Sequence, residues 1–262
     1  MFERLSLSAI LICTLLCSCT VKEDRGPCPC LLNLFLEDSA DYSDKLTVSG
    51  WDMNSERLFH DKILHKGHPD LYSRKVKKGF LTVSAFCGAE SMAVKDDCLV
   101  IPEGKNGDRL WAFAGGPVDA RGENAEEHIF LHKQYADVHI RVDELSREAG
   151  DIIIRATSNT DGLSLLTLKP RAGSFKCYVP QENESEWSFT VPRQRDESLE
   201  LEVYLNGVLR KKVSVGELIR INGYSWSKTD LDDIYISINL VSDSPVQIAI
   251  TGWDTEKVSY TI

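Results

Sequence analysis

The sequence predicts an all-β protein made of two tandem domains of sandwich or barrel type. Three observations carry this. Short β-prone runs recur roughly every 10 residues, separated by Gly, Asn, Asp and Pro clusters, which is the spacing of all-β sandwiches and barrels. Several runs alternate apolar and polar residues, the period-two pattern of a half-buried strand. The runs also fall into two sets of about seven, divided near Lys133 to Ala136.

In the first set, Leu32-Asn33-Leu34-Phe35-Leu36 opens the first strand. Leu46 to Trp51 and Phe80 to Phe86 alternate cleanly, and Leu110 to Phe113 and Glu127 to Leu131 are two more candidates. In the second set Val138, Ile140 and Val142 alternate with Asp137, His139 and Arg141. Ile152 to Ile154, Gly162 to Leu168, Ser174 to Val179 and Trp187 to Val191 follow. Leu199 to Leu205 alternates strictly and meets Val208 to Val213 across Asn206-Gly207, a strong two-residue hairpin signal because a type I′ turn needs positive φ at both positions. Tyr235 to Leu240, Val246 to Ile250 and Lys257 to Ile262 close the chain. Asp143 to Glu148 is the expected helix, of one or two turns.

The first 18 residues read as an export signal. An apolar run from Leu5 to Leu16 is too short for a bilayer crossing, which needs roughly 20 residues, but suits the core of a secretory signal peptide. Leu16-Cys17-Ser18-Cys19 resembles the lipobox of bacterial lipoproteins. That resemblance implies removal of residues 1–18 and acylation of Cys19, the lipidation site. Each buried lipid CH2 then contributes about 0.8 kcal/mol, and more than one chain gives durable anchoring.

With 40 acidic and 30 basic residues the chain carries a formal charge of −10. It has no basic block, which argues against nucleic acid as a partner and against charge-driven adsorption to anionic lipid. Beyond the signal and lipobox five cysteines remain: Cys28, Cys30, Cys87, Cys98 and Cys177. Export permits disulfides, and an odd number leaves at least one thiol unpaired within the chain. The candidates for a disulfide are Cys28, Cys30, Cys87 and Cys98, with the pairing open.

Constellations that could carry chemistry are weak. His60, His65 and His68 are close in sequence, but on a strand His60 and His65 face opposite sides, so a solvated loop is preferred to a metal site. Asp230, Asp232 and Asp233 lack the rest of a calcium loop and read as a solvated turn. No Ser sits in a nucleophile elbow. No enzyme, cofactor or metal is therefore expected. Five Trp residues could stack on sugars. A row of them facing solvent would support the alternative function, a surface glycan-binding lipoprotein.

The stretch after the lipobox is more specific. Cys19, Val21, Glu23, Asp24, Pro27, Cys28 and Pro29 resemble the head of FimB-type fimbrial anchor lipoproteins of Bacteroidales: a lipid Cys, a Val-x-Glu-Asp core and a Pro-Cys-Pro before the first strand. Cys30 departs from that pattern. The resemblance covers about a dozen residues. More loosely, it extends to two β domains and a final strand after Gly252-Trp253-Asp254. It implies two transthyretin-like or immunoglobulin-like sandwiches. It also implies an outer-membrane lipoprotein at the base of a fimbrium, exposed at the surface, which anchors the shaft and limits its length. Its partners would be shaft subunits joined by strand addition, in which a sheet edge accepts an extended neighbour strand. The organisation expected is 1–18 signal peptide, 19–30 lipidated tether, 31–135 N-terminal domain and 136–262 C-terminal domain.

Overall fold

The computed structural model describes residues 28–37, 45–64, 71–142, 150–240, 246–251 and 258–261. The signal peptide, Cys19, His65, His68, Trp253 and the expected helix at 143–148 lie outside them. The architecture is all-β, with layered sheets packed as sandwiches and, among the described residues, one short helix.

The first layers use β1 (Cys30–Glu37), β2 (Lys45–Asp52), β3 (Arg57–Leu64), β4 (Leu71–Val76), β5 (Phe80–Cys87), β6 (Ala93–Lys95), β7 (Cys98–Val100), β8 (Trp111–Asp119), β9 (Asn124–Phe130) and β10 (His132–Lys133). One sheet has the order β4-β1-β9, with β1 antiparallel to β4 and parallel to β9. The facing sheet runs β10-β8-β5-β2-β3. Alternation in β1 turns Leu32, Leu34 and Leu36 inward, where they meet Val48, Val83 and Ala85 in one buried cluster.

The remaining strands are β11 (Tyr135–Val142), β12 (Ile152–Ser164), β13 (Pro170–Tyr178), β14 (Gln181–Asn183), β15 (Glu186–Pro192), β16 (Glu200–Leu205), β17 (Val208–Val213), β18 (Asp233–Ile238), β19 (Gln247–Thr251) and β20 (Val258–Thr261), with helix α1 (Val215–Ile221) between β17 and β18. One six-stranded sheet runs β14-β15-β11-β18-β19-β20 and the other β17-β16-β12-β7-β6, with β13 on the far side of β12. Val138 and Ile140 of β11 pack with Ile154, Phe175, Trp187, Phe189, Leu201 and Ile236 in the largest core. Each such fully buried side chain contributes about 1.5–3 kcal/mol.

Most expected strands are present, with two differences of kind. The separate runs at 152–154 and 162–168 form one 13-residue strand, β12, which ends at a turn where Leu168 takes φ 54°. A helix that the pattern did not indicate forms at 215–221. Val215 and Ile219 lie four apart and are both buried, and a Cβ on Gly216 would sit 2.2 Å from the Glu197 carbonyl oxygen. Asn206 and Gly207 do form the hairpin turn between β16 and β17, with φ 51° and 76°.

The short strands β6 and β7 shape the molecule most. They lie in sequence between β5 and β8 of the first layers, yet β7 pairs with β12 of the second, with Gly162 opposite Val100 and Leu163 opposite Leu99. β7 thus continues the edge that β16 occupies further back on β12. A third buried cluster forms where the layers meet: Trp51 and Phe86, Leu99, Leu110 and Ala112, Leu163 and Leu165.

Candidate functional site

The seam between the two sets of layers is where polar side chains converge. Residues 101–110 return from β7 to β8 along the second set. The Ile101 amide donates to the Asp161 carbonyl at 2.7 Å and the Gly107 amide to the Thr190 carbonyl at 3.0 Å. A Cβ at position 107 would lie 2.5 Å from that carbonyl oxygen, so glycine permits the approach. The Thr190 amide donates to Asn106 Oδ1 at 2.9 Å, and Arg109 pairs with Asp137 at 3.0 Å.

Lys133, the last residue of β10, is the centre of this seam. Its side chain is 4% exposed, and its Nζ lies 2.6 Å from Asp233 Oδ1 and 4.7 Å from the centroid of the Tyr135 ring. The same Asp233 oxygen accepts the Asp137 amide at 2.9 Å, while Asp230 Oδ1 accepts the Lys133 amide at 2.7 Å. Asp232 pairs with Lys228. The acidic run 230–233 is therefore not a solvated turn but a clip on the connection between β10 and β11. No signal in the sequence links positions a hundred residues apart.

Beside the seam lies a cleft of about 710 Å³, bounded by His132 and Gln134, the β12–β13 turn, 193–195 and the loop after α1. Arg193 holds these segments together. Its Nε donates to Gln134 Oε1 at 2.9 Å, one terminal nitrogen donates to the Trp226 carbonyl and the other to the Thr229 carbonyl at 3.1 Å. Burial lowers the guanidinium from its ordinary pKa, yet an arginine so held stays charged.

The other sequence candidates are dispersed. Cys28 is exposed, Cys30 starts β1, Cys87 ends β5, Cys98 starts β7 and Cys177 is buried on β13. Burial, foremost, raises the Cys30 thiol from its ordinary pKa, and Cys30 and Cys87 both belong to the first core. Burial pushes the Cys98 thiol up to about 11 and the Cys177 thiol up to about 12. His60 is on β3, its Nδ1 2.8 Å from Ser49 Oγ. Among the described residues no group of His, Cys, Asp and Glu could hold a metal, and no helix is long and apolar enough to cross a membrane.

The described tryptophans form no solvent-facing row. Trp51 and Trp187 are buried, Trp111 packs against the first core, and Trp226 packs against the second while lining the cleft. Among the described residues β17 is the outermost strand of its sheet, with Val208 and Leu209 exposed. The final strand β20 pairs antiparallel with β19 and so extends its own sheet.

No family model matches the chain, and no curated protein matches it. Solved structures do. A candidate polysaccharide-binding protein from Bacteroides thetaiotaomicron superposes with a TM-score of 0.63 at 15% identity, covering 89% of this chain and 98% of the other. The fimbrial anchor protein Mfa2 from Porphyromonas gingivalis gives 0.63 at 15% identity, with 86% and 98% covered. A candidate adhesin from Bacteroides ovatus gives 0.59 at 9%, with 92% and 97% covered. At such identities the likeness shows a shared fold over nearly the whole length of each chain.

Proposed function

We propose that this chain is a non-enzymatic, lipid-anchored subunit at the base of a surface fimbrium, held in the outer membrane through Cys19. The observation that carries this is the head of the sequence. A lipobox Cys is followed by Val21, Glu23, Asp24 and then Pro27-Cys28-Pro29, and the next residue, Cys30, begins β1. The lipid would therefore connect to the first sandwich through a short tether. The fold shared with a fimbrial anchor protein supports the reading.

In this proposal residues 31–135 and 136–262 are the two domains, and shaft subunits attach by strand addition. Main-chain hydrogen bonds would supply affinity and alternate side-chain pockets specificity. The edge of β17, outermost among the described residues, is one place for such a strand. The test is Cys19→Ala in the source bacterium. Loss of lipid label, with protein and fimbriae shed into the medium, is the expected result; normal membrane retention would overturn the anchor role.

A further inference from the structure

We infer that the open side of the first sandwich, between β8 and β9, accepts an extended strand of a partner subunit that carries a lysine or arginine opposite Glu127. The inference rests on strand addition as proposed above and names its edge and its chemistry. The two sides of this sandwich differ. At one side Asp61 of β3 bonds Tyr72 and Arg74 of β4, which joins the two sheets. At the other side lies β9, outermost in its sheet among the described residues. It pairs with β1 without a register shift, whereas β17 is broken by one. The Leu31 amide donates to the Glu123 carbonyl at 2.8 Å, with Leu31 opposite Asn124. In a parallel ladder this turns the main-chain groups of Ala125 and Glu127 toward β1, and those of Glu126 and His128 away from it. In the facing sheet β10 pairs only with Trp111 and Ala112 of β8. From Phe113 onward β8 therefore has no strand on that side among the described residues. Main chain left unpaired in this way is a template for one more strand.

The side chains of β9 select the occupant by charge. Ala125 and Ile129 turn into the first core, and Glu127 between them points to the same face. A Cβ on Gly115 would lie 3.2 Å from Glu127 Oε1, so the carboxylate stands in the opening against β8. Burial, foremost, raises its pKa from the ordinary carboxylate value. Neither Glu127 nor Glu126 on the outer face makes a hydrogen bond or ion pair among the described residues. Other part-buried carboxylates of these sheets are paired: Asp61 with Arg74, Asp161 with Arg171 and Glu202 with Arg155. A partly desolvated carboxylate without a cation gains from one that arrives, and an apolar or acidic residue in that place brings no such gain. A second copy of this chain would set its own Glu126 and Glu127 against the same edge, where like charges repel. β1, which follows the proposed tether, is the neighbour of β9, so the partner strand would lie one strand away from the lipid end of the chain.

The purified full chain is titrated with a peptide as long as β9 that alternates threonine with valine and has lysine at its centre (TVTKTVT). The sequence reads the same in both directions, so it fits a parallel or an antiparallel strand. Leucine (TVTLTVT) and glutamate (TVTETVT) at the centre are the controls, and amide exchange locates the bound peptide. The lysine peptide should bind about tenfold more tightly than the leucine peptide and slow exchange at Glu126 and His128. The glutamate peptide should not bind. Glu127→Gln, which keeps the shape and removes the charge, should abolish the preference for lysine over leucine. A preference unchanged in Glu127→Gln would overturn the assignment. So would Glu126 and His128 amides already protected in the free chain, because this chain or a second copy would then fill the edge. Protection at residues 208–213 in place of β9 would leave strand addition standing and overturn β9 as its edge, whereas no protection anywhere would overturn both. None of these readings involves Cys19, so the lipid anchor is tested separately.

Discussion

Lys133 Nζ and Asp233 Oδ1 lie 2.6 Å apart across the seam, joining two residues separated by 100 positions in the chain. The pair is shielded on the lysine side and further satisfied by the Asp137 amide and the Tyr135 ring. Removing one partner leaves a buried charge without compensation, which is much costlier than the pair's own net contribution. Asp233→Ala should lose about 3 kcal/mol in urea unfolding. Lys133→Met, which removes the charge and keeps the stem, should lose less. Equal losses would show that the ion pair is not the reason for the burial.

Leu99 is fully buried at the meeting of the layers, on a strand that belongs to the first set by sequence and to the second by pairing. Leu99→Ala should cost about 2–5 kcal/mol through lost transfer energy and the cavity left behind. Amide exchange should quicken on both sides of the seam, in β5 and in β12. Exchange confined to β12 would mean that the third cluster does not couple the layers.

Gly162 and Gly207 separate two reasons for glycine. A Cβ on Gly162 would lie 1.9 Å from the Leu99 carbonyl oxygen, whereas Gly207, at φ 76°, has nothing within 4 Å. Gly207→Ala should cost only the left-handed backbone strain, about 1–2 kcal/mol, with the structure kept. Gly162→Ala should expel β7 from its place beside β12. Amide exchange at residues 98–100 distinguishes the two variants.

His60 gives a pH dependence of known sign. Burial, foremost, together with Arg57 and Lys62 lowers its pKa from 6.5 in the folded state. Below about pH 6.5 the unfolded chain binds a proton that the folded chain refuses, so stability falls there and is fully present above it. His60→Gln should remove that part of the slope between pH 7 and the lowered folded value. An identical pH profile in the variant would show that His60 titrates as in the unfolded chain.

Thiol labelling should follow exposure. Cys28 is exposed, while burial raises the thiol of Cys177 to about 12 and keeps it protonated at neutral pH. Maleimide should modify Cys28 at once and Cys177 only on unfolding. Rapid native labelling of Cys177 would contradict the packing of β13 against β12.

Local pattern alone determined the strands whose reasons are local. Leu32, Leu34 and Leu36 alternate because one face of β1 is buried, and Asn206-Gly207 turns because both residues tolerate positive φ. Where contact partners are distant in sequence, pattern was silent. β6 and β7 are three residues each, too short to show a period, and they exist as strands because Gly162 lets the β7 backbone approach β12. Asp230 and Asp233 read as surface acids until the fold sets them against Lys133. The cleft has the same origin: Lys169, Arg193 and Lys228 are unremarkable along the chain and become one cationic lining only when the β12–β13 turn, the end of β15 and the loop after α1 converge. Periodicity is a property of neighbours along the chain, whereas charge pairing and concavity are properties of neighbours in space.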